Sequence, residues 1–367
     1  MFDAAALTAV GPLLALSAGV LLLLVASIFR LSHALRGPFV LLSLTGAAVL
    51  NLHMLACEQL PGRVLDGTLL CNPATAMWGL IFVVCTAAAW LYSRSYYGED
   101  RPFLNEHDVL LLLTPVGMTL MAGANDLIVF FIGLELLSIP LYALAAFRRN
   151  RARSVEAGLK YFLLGAFAAA FFLYGAALLY TVTGSLSLDA FADPARRAVI
   201  LAQPLALVGV ALISASVFFK VSVFPFHLWV PDVYEGSPTP IAGLMATGTK
   251  AAAFAFLINA MAFLPNGAAA SIALIALLTM AAGNFGALVQ SDAKRMLAYS
   301  GIAHAGTIVL AIAAFLAYRA AHPEAGEAEL AATRADVTQA CLFYLAAYAA
   351  TAAGAFGVLS MLEPHDE

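Results

Sequence analysis

Apolar residues in this chain neither alternate with polar ones nor recur every third or fourth position against a charged face; they run on without interruption. Uncharged stretches long enough to cross a hydrocarbon core of roughly 30 Å occupy 4–29, 37–57, 72–93, 109–125, 198–219, 267–290, 296–318 and 337–362. Three more, 127–147, 157–188 and 241–264, qualify but for a single charge each. Together they predict eleven membrane spans. A barrel strand is about half this length and alternates lipid-facing with lumen-facing positions, so continuous runs of this kind read as helices. The expected fold class is an all-α polytopic membrane protein.

Two features interrupt the regularity. In "FFKVSVFPFHLWVPDVYEGSPTP", residues 218–240, a lysine ends an apolar run and four prolines follow. A proline inside a helix removes a backbone hydrogen bond and clashes with the preceding turn, so the seventh span is predicted to be discontinuous at Pro225, with carbonyls freed around Val221. The second feature is an internal echo: "GLKYFLLGAFAAAFFLYGA" and "CLFYLAAYAATAAGAFGVL" superpose Leu159 on Leu342 and Tyr161 on Tyr344. Five spans separate the copies, so they cross in opposite senses, the inverted-repeat arrangement of many transporters. On that register Glu135 falls near His304. The counterpart of Lys220 would lie as far beyond Tyr344 as Lys220 lies beyond Tyr161, past the last residue, so the second repeat is expected to be incomplete. The organisation predicted is a three-helix segment over 1–106, a five-helix transport repeat over 107–264 and a partial repeat over 265–367 with spans nine to eleven. The longer loops, 58–71, 94–108 and 319–336, have no linker composition, which makes this one bundle.

Composition agrees with a membrane protein: of 367 residues 63% are hydrophobic and 11% charged, about half the usual charged share. Residues 1–4 carry Asp3 and no basic region, so the first span does not read as a cleaved signal peptide. Lys and Arg accumulate on cytoplasmic loops. With the N-terminus outside, the inner loops hold Arg30, Arg36, Arg94, Arg101, Arg148, Arg149, Arg151, Arg153, Lys294 and Arg295, against Arg63, Arg196, Arg197, Arg319 and Arg334 outside. The C-terminus is then expected in the cytoplasm. Cys57, Cys71, Cys85 and Cys341 have no metal or redox spacing, and neither GxGxxG nor GxxxxGK[ST] occurs. Neither cofactor nor metal is expected in this chain, so any energy it uses arrives from elsewhere.

The remaining signal is charge inside the apolar runs. Arginine holds the loops, whereas Lys160, Lys220 and Lys250 sit in the spans. Guanidinium stays protonated, but an ammonium withdrawn from water can release its proton, so a position that alternates between charged and neutral needs lysine. Lys220 either snorkels from a helix end or is buried for function; the apolar "VSVFPFHLW" after it favours the second reading. Lys250 lies nine residues into the eighth span, about 13 Å along a helix, too deep for easy escape to either surface. Glu135, in "FFIGLELLSIPLYAL", is the carboxylate well inside a span, and its expected partner is Lys220, as a switchable pair or as a structural salt bridge. His227 would return to nearly the face of Lys220 if the helix resumes after Pro225, and suits a proton relay. His304, in "YSGIAHAG", fits a relay or a satisfied core histidine equally. His53, near a span end, and Lys160, four residues after Glu156, are read as structural.

"LELLSIPLYALAAFRR", "EAGLKYFLLGAF", "KVSVFPFHLWVPDVYEGSPTP" and "KRMLAYSGIAHAG" resemble the antiporter-like subunits of respiratory complex I, the proton-pumping NADH:quinone oxidoreductase, over nearly the whole chain. "PDVYEGSPTP" points to the N branch rather than L or M. The resemblance implies a non-redox translocase subunit in a bacterial inner membrane, with proton-translocating residues at Glu135, Lys220, Lys250, His227 and His304. It implies partners in the other membrane-arm subunits and the lipid bilayer, quinone and NADH bound by other subunits, and no nucleic acid. Family members usually have fourteen spans and a broken twelfth helix with an exit lysine, which the eleven spans here do not include. A subunit of a multisubunit cation/proton antiporter shares the constellation, and a structural membrane-arm subunit without a complete channel is a further alternative.

Overall fold

The computed structural model describes residues 4–29, 36–98 and 104–363. Among the described residues the regular structure is helical apart from one short hairpin. In chain order the helices are α1 (Ala4–Ile28), α2 (Arg36–Ala56), α3 (Pro73–Tyr97), α4 (Leu104–Gly123), α5 (Leu127–Ala145), α6 (Ala152–Thr183), α7 (Pro194–Leu201), α8 (Pro204–Val221), α9 (Trp229–Gly236), α10 (Thr239–Ala246), α11 (Gly248–Asn259), α12 (Ala269–Leu288), α13 (Ala293–Ala321) and α14 (Glu327–Leu362). Between α2 and α3 lies an antiparallel pair, β1 (Gly62–Val64) and β2 (Leu69–Cys71). Ten helical stretches among the described residues are long and apolar enough to cross a membrane, with α10 and α11 together forming one of them. The remaining predicted span, 109–125, falls in α4, a 20-residue helix whose first turn contains Glu106.

Alternate connections gather at opposite ends of the bundle. At one end Asn125 donates from Nδ2 to the Gly67 carbonyl (2.9 Å) in the β1–β2 turn, Asp126 bridges to Ser187, and Arg63 pairs with Asp189 (2.7 Å). At the other end the loop after α5, the α9 region, the start of α13 and the end of α14 meet. This is the division that alternating crossings require, and it separates the basic loops as the charge pattern predicts. Arg30 and Arg101 lie outside the described residues.

The bundle is built around α10 and α11. Every residue in the apolar window of this stretch is buried, whereas only 22% of the α12 window is. A helix that is apolar all round and buried all round belongs to the centre of a bundle. Close packing of α6 on α8 rests on Gly175 and Gly209: a Cβ at Gly175 would meet the Gly209 carbonyl oxygen at 2.7 Å, and one at Gly209 would meet that of Gly175 at 2.9 Å. Small residues that let backbones approach are the usual means of joining membrane helices. Here they bring the face of α6 that carries Tyr161 against α8, which carries Lys220.

The seventh span is broken, as predicted, but not at the proline. Helix α8 ends when Ser222 takes a left-handed conformation (φ 68°, ψ 43°), three residues before Pro225. The Val223 N–H then reaches back to the Phe218 carbonyl (2.9 Å), which closes the turn as a C-terminal cap does. Helix resumes only at Trp229. Backbone groups freed by the break find internal partners, as lipid requires: the Trp229 indole N–H donates to the Phe219 carbonyl (3.0 Å), and the Phe224 N–H donates to Thr279 Oγ1 (3.0 Å) on α12. A second break, which the sequence reading did not foresee, separates α10 from α11 at Thr247 (φ −107°, ψ −83°), three residues before Lys250.

Candidate functional site

Lys220 is the second-last residue of α8, and its side chain points into the bundle with 4% of its surface exposed. Its Nζ donates to Ser138 Oγ (2.7 Å) on α5 and Tyr161 OH (3.0 Å) on α6. The amine also lies over the Tyr161 ring (5.0 Å to the centroid) and near that of Tyr142 (5.9 Å), and Tyr161 stacks on Trp229 at 4.7 Å with the planes 6° apart. Aromatic faces favour the ammonium. The Tyr161 hydroxyl accepts from an ammonium and donates to a neutral amine by turning its O–H, so this pocket accommodates both states.

The direct Glu135–Lys220 pair expected from the sequence is not made: among the described residues no ion pair joins them. Ser138, three residues on and therefore on the same face of α5, reaches the amine instead and passes its own hydroxyl hydrogen to the Leu134 carbonyl (2.5 Å). Glu135 is half-buried and stands within electrostatic reach of Lys220. His227 is 6% exposed, stacks on Phe224 (5.6 Å between centroids), and its Nδ1 has no partner among the described residues. It makes no hydrogen bond to Lys220, because the chain from Ser222 to Leu228 is a succession of turns and helical periodicity does not carry across it.

Lys250, third residue of α11, is 2% exposed, and its Nζ has no hydrogen-bond partner among the described residues. It faces α13 at Gly301, where an added Cβ would stand 2.7 Å from Lys250 Nζ and 2.7 Å from Tyr348 OH of α14. Glycine there makes the space into which the amine and the phenol both project. Tyr348 packs on His304, one turn further along α13, at 4.7 Å between ring centroids. His304 Nδ1 shares a hydrogen bond of 2.7 Å with Tyr344 OH, so it is satisfied and also polar-connected. Lys250, His304, Tyr344 and Tyr348 therefore form one cluster, with Lys250 and Tyr348 buried and His304 and Tyr344 half-buried. Tyr161 and Tyr344, which the sequence echo aligns, each bond a titratable group, Lys220 and His304 respectively.

Lys160 is not in this interior. It pairs with Glu156 (2.8 Å) as its spacing predicts, and also with Asp232 (2.9 Å) of α9. Asp232 and Glu235 are held in turn by Arg295 of α13 at 2.7 and 2.8 Å. Beside this network Glu363, just past α14, accepts from Arg148 (2.9 Å), Arg151 (3.0 Å) and Thr239. Burial on its own would raise the Glu363 carboxyl; Lys294, the Thr239 and Tyr96 hydroxyls and Arg148 outweigh it and hold the group below the usual carboxylate range. His53, beside Cys57 Sγ at 3.8 Å, is exposed and remote from these clusters. Among the described residues no group of three His, Cys, Asp or Glu side chains is placed to hold a metal ion.

The interior thus holds two buried lysines, a half-buried carboxylate and a half-buried histidine, with serine and tyrosine hydroxyls bonded to Lys220 and His304. Comparison with known proteins finds the same assembly of helices elsewhere. The family model described as NADH:quinone oxidoreductase/Mrp antiporter, TM, matches residues 124–322, which run from the start of α5 past the end of α13. NADH-quinone oxidoreductase subunit N of Myxococcus xanthus is 38% identical over 97% of this chain and 71% of its own length. The subunit N of Salinibacter ruber is 43% identical over 83% of this chain, which spans little more than half, 57%, of that relative. Among solved structures, a chain of respiratory complex I from Thermus thermophilus superposes with a TM-score of 0.70 at 29% identity, covering 97% of this chain and 91% of that one. The matched residues include Glu135, Lys220, His227, Lys250 and His304, so the polar interior and the sequence similarity coincide, and the chain belongs to the NADH:quinone oxidoreductase/Mrp antiporter transmembrane family.

Proposed function

We propose that this chain carries protons through the membrane arm of an NADH:quinone oxidoreductase, driven by quinone reduction at centres borne by other subunits. The observation that carries the reading is the pair of buried lysine amines, neither of which is locked to a carboxylate. An amine set among hydroxyls and aromatic rings holds a proton and gives it up without leaving a buried unpaired carboxylate behind. In this reading Lys220 is the first carrier. Glu135, close enough to be felt and too far to neutralise, biases its charge from α5. Lys250 and His304 receive the proton on the far side of the broken helices, and His227 is an exchange group at the break itself. Moving a charge against 100 mV costs about 2.3 kcal/mol, so the drive comes from the redox subunits and this chain supplies the route.

The relatives named subunit N support the assignment to this complex, and the cytoplasmic placement of Arg148–Arg153 and Glu363 follows from the distribution of basic loops. The test is proton transport by the intact complex in sealed vesicles, measured alongside NADH oxidation. Lys220→Ala and Lys250→Ala are each expected to lower the protons moved per NADH while the complex still assembles. Unchanged transport in both variants overturns the reading and leaves a structural role in the arm.

A further inference from the structure

Helix α9 packs against α6, which carries Tyr161 of the first lysine pocket, and against α13, which carries Gly301 of the second. Tyr234 is fully buried, and its hydroxyl has no hydrogen-bond partner among the described residues. It lies within electrostatic reach of the hydroxyls of Tyr161 and Tyr348. Its ring is gripped from both sides, edge-on to Trp229 at 6.3 Å and to Phe356 of α14 at 6.1 Å between centroids. Trp229 in turn stacks on Tyr161, which bonds Lys220, while Tyr348 shares the space over Gly301 with Lys250. A buried phenol with no protein partner is costly unless something polar meets it, and a water bridging to the neighbouring hydroxyls satisfies that need.

We propose that Tyr234 is the relay between the two lysines, with Tyr161, Tyr234 and Tyr348 forming a ladder of hydroxyls, joined by water, across α9. This deepens the proposed function and rests on it. The transfer balances at each rung. Lys220 loses one proton to the oxygen of Tyr161, each hydroxyl accepts one proton and releases another, and Lys250 gains one. No tyrosine ends the step ionised, and each resets by rotating its O–H. The ladder bypasses His227, which the structure leaves without a bond to Lys220.

The experiment compares Tyr234→Phe, Tyr234→His and Lys220→Ala in the whole complex reconstituted in vesicles, reading protons moved per NADH oxidised. Phenylalanine keeps the ring between Trp229 and Phe356 and removes only the hydroxyl. Tyr234→Phe is expected to show the loss seen in Lys220→Ala with assembly intact, and Tyr234→His, which again accepts and donates, to recover transport. Wild-type transport in Tyr234→Phe beside a loss in Lys220→Ala overturns the relay and leaves the proposed function standing. Equal losses in Tyr234→Phe and Tyr234→His also overturn it, since the residue then acts by packing. Wild-type transport in both Tyr234→Phe and Lys220→Ala overturns the relay and the proposed function together.

Discussion

Lys220 and Lys250 each place an amine within an apolar run, and both side chains are buried in the bundle; a charge in such a run is visible without any geometry. The groups around them are not visible in that way. Ser138, Tyr161 and Tyr348 sit in runs that read as apolar helix, Tyr234 lies between Asp232 and Glu235 in the proline-rich stretch, and a phenol in either setting is as often a packed ring as a polar group. Tyr161 had one clue, its alignment with Tyr344, but nothing in the sequence said that either hydroxyl met a titratable partner. The expected Glu135 contact went to Ser138 because both occupy one face of α5 and the chain pattern does not say which is opposite the amine. Gly301 is the clearest residue-level test of the second pocket. Gly301→Val places carbon where Lys250 Nζ and Tyr348 OH now project, an overpacking expected to cost about 1–3 kcal/mol. Thermal unfolding of the purified complex should show the destabilisation, together with lowered proton transport; unchanged values in both would mean that the amine and phenol do not share this space.

At the scale of elements, the important features are two interruptions that flank the lysines. Pro225 marked the first in the sequence, and α8 ends at Val221, the residue whose carbonyl a helical N–H at position 225 would have met. The second, at Thr247, carries no proline. Its signal is the threonine pair in "TGT": Thr247 Oγ1 donates to the Gly243 carbonyl (2.8 Å) and Thr249 Oγ1 to that of Met245 (2.6 Å). Such back-bonding competes with the backbone and bends helices, but threonine does this in many unbroken helices, which is why the pattern alone did not reveal it. The first break is held by the Trp229 indole on the Phe219 carbonyl. Trp229→Phe keeps an aromatic ring on Tyr161 but removes one of the two donors to that carbonyl, leaving it the Ser222 N–H at 3.2 Å, at an expected cost of about 0.5–1.5 kcal/mol. Hydrogen exchange of residues 218–230 should speed up in the variant, and wild-type protection there would contradict the role given to the indole.

For the whole molecule, the class of fold followed from hydropathy alone, since lipid admits few ways to satisfy a backbone. The ten long apolar stretches and the gathering of alternate loops at opposite ends answer to that pattern. What hydropathy does not convey is which helix lies at the centre. Helices α10 and α11 look like their neighbours in composition but are buried all round, which is why Lys250 is inside the bundle rather than at its rim. The central claim is that a buried amine able to lose its proton, and not merely a buried positive charge, stands at the end of α8. Lys220→Arg separates the two, because guanidinium keeps the charge and does not release its proton. The measurement is protons moved per NADH oxidised by the intact complex in sealed vesicles, for Lys220→Arg beside the unaltered chain. The account predicts an assembled complex that oxidises NADH with fewer protons moved; an unaltered proton ratio in Lys220→Arg would contradict it.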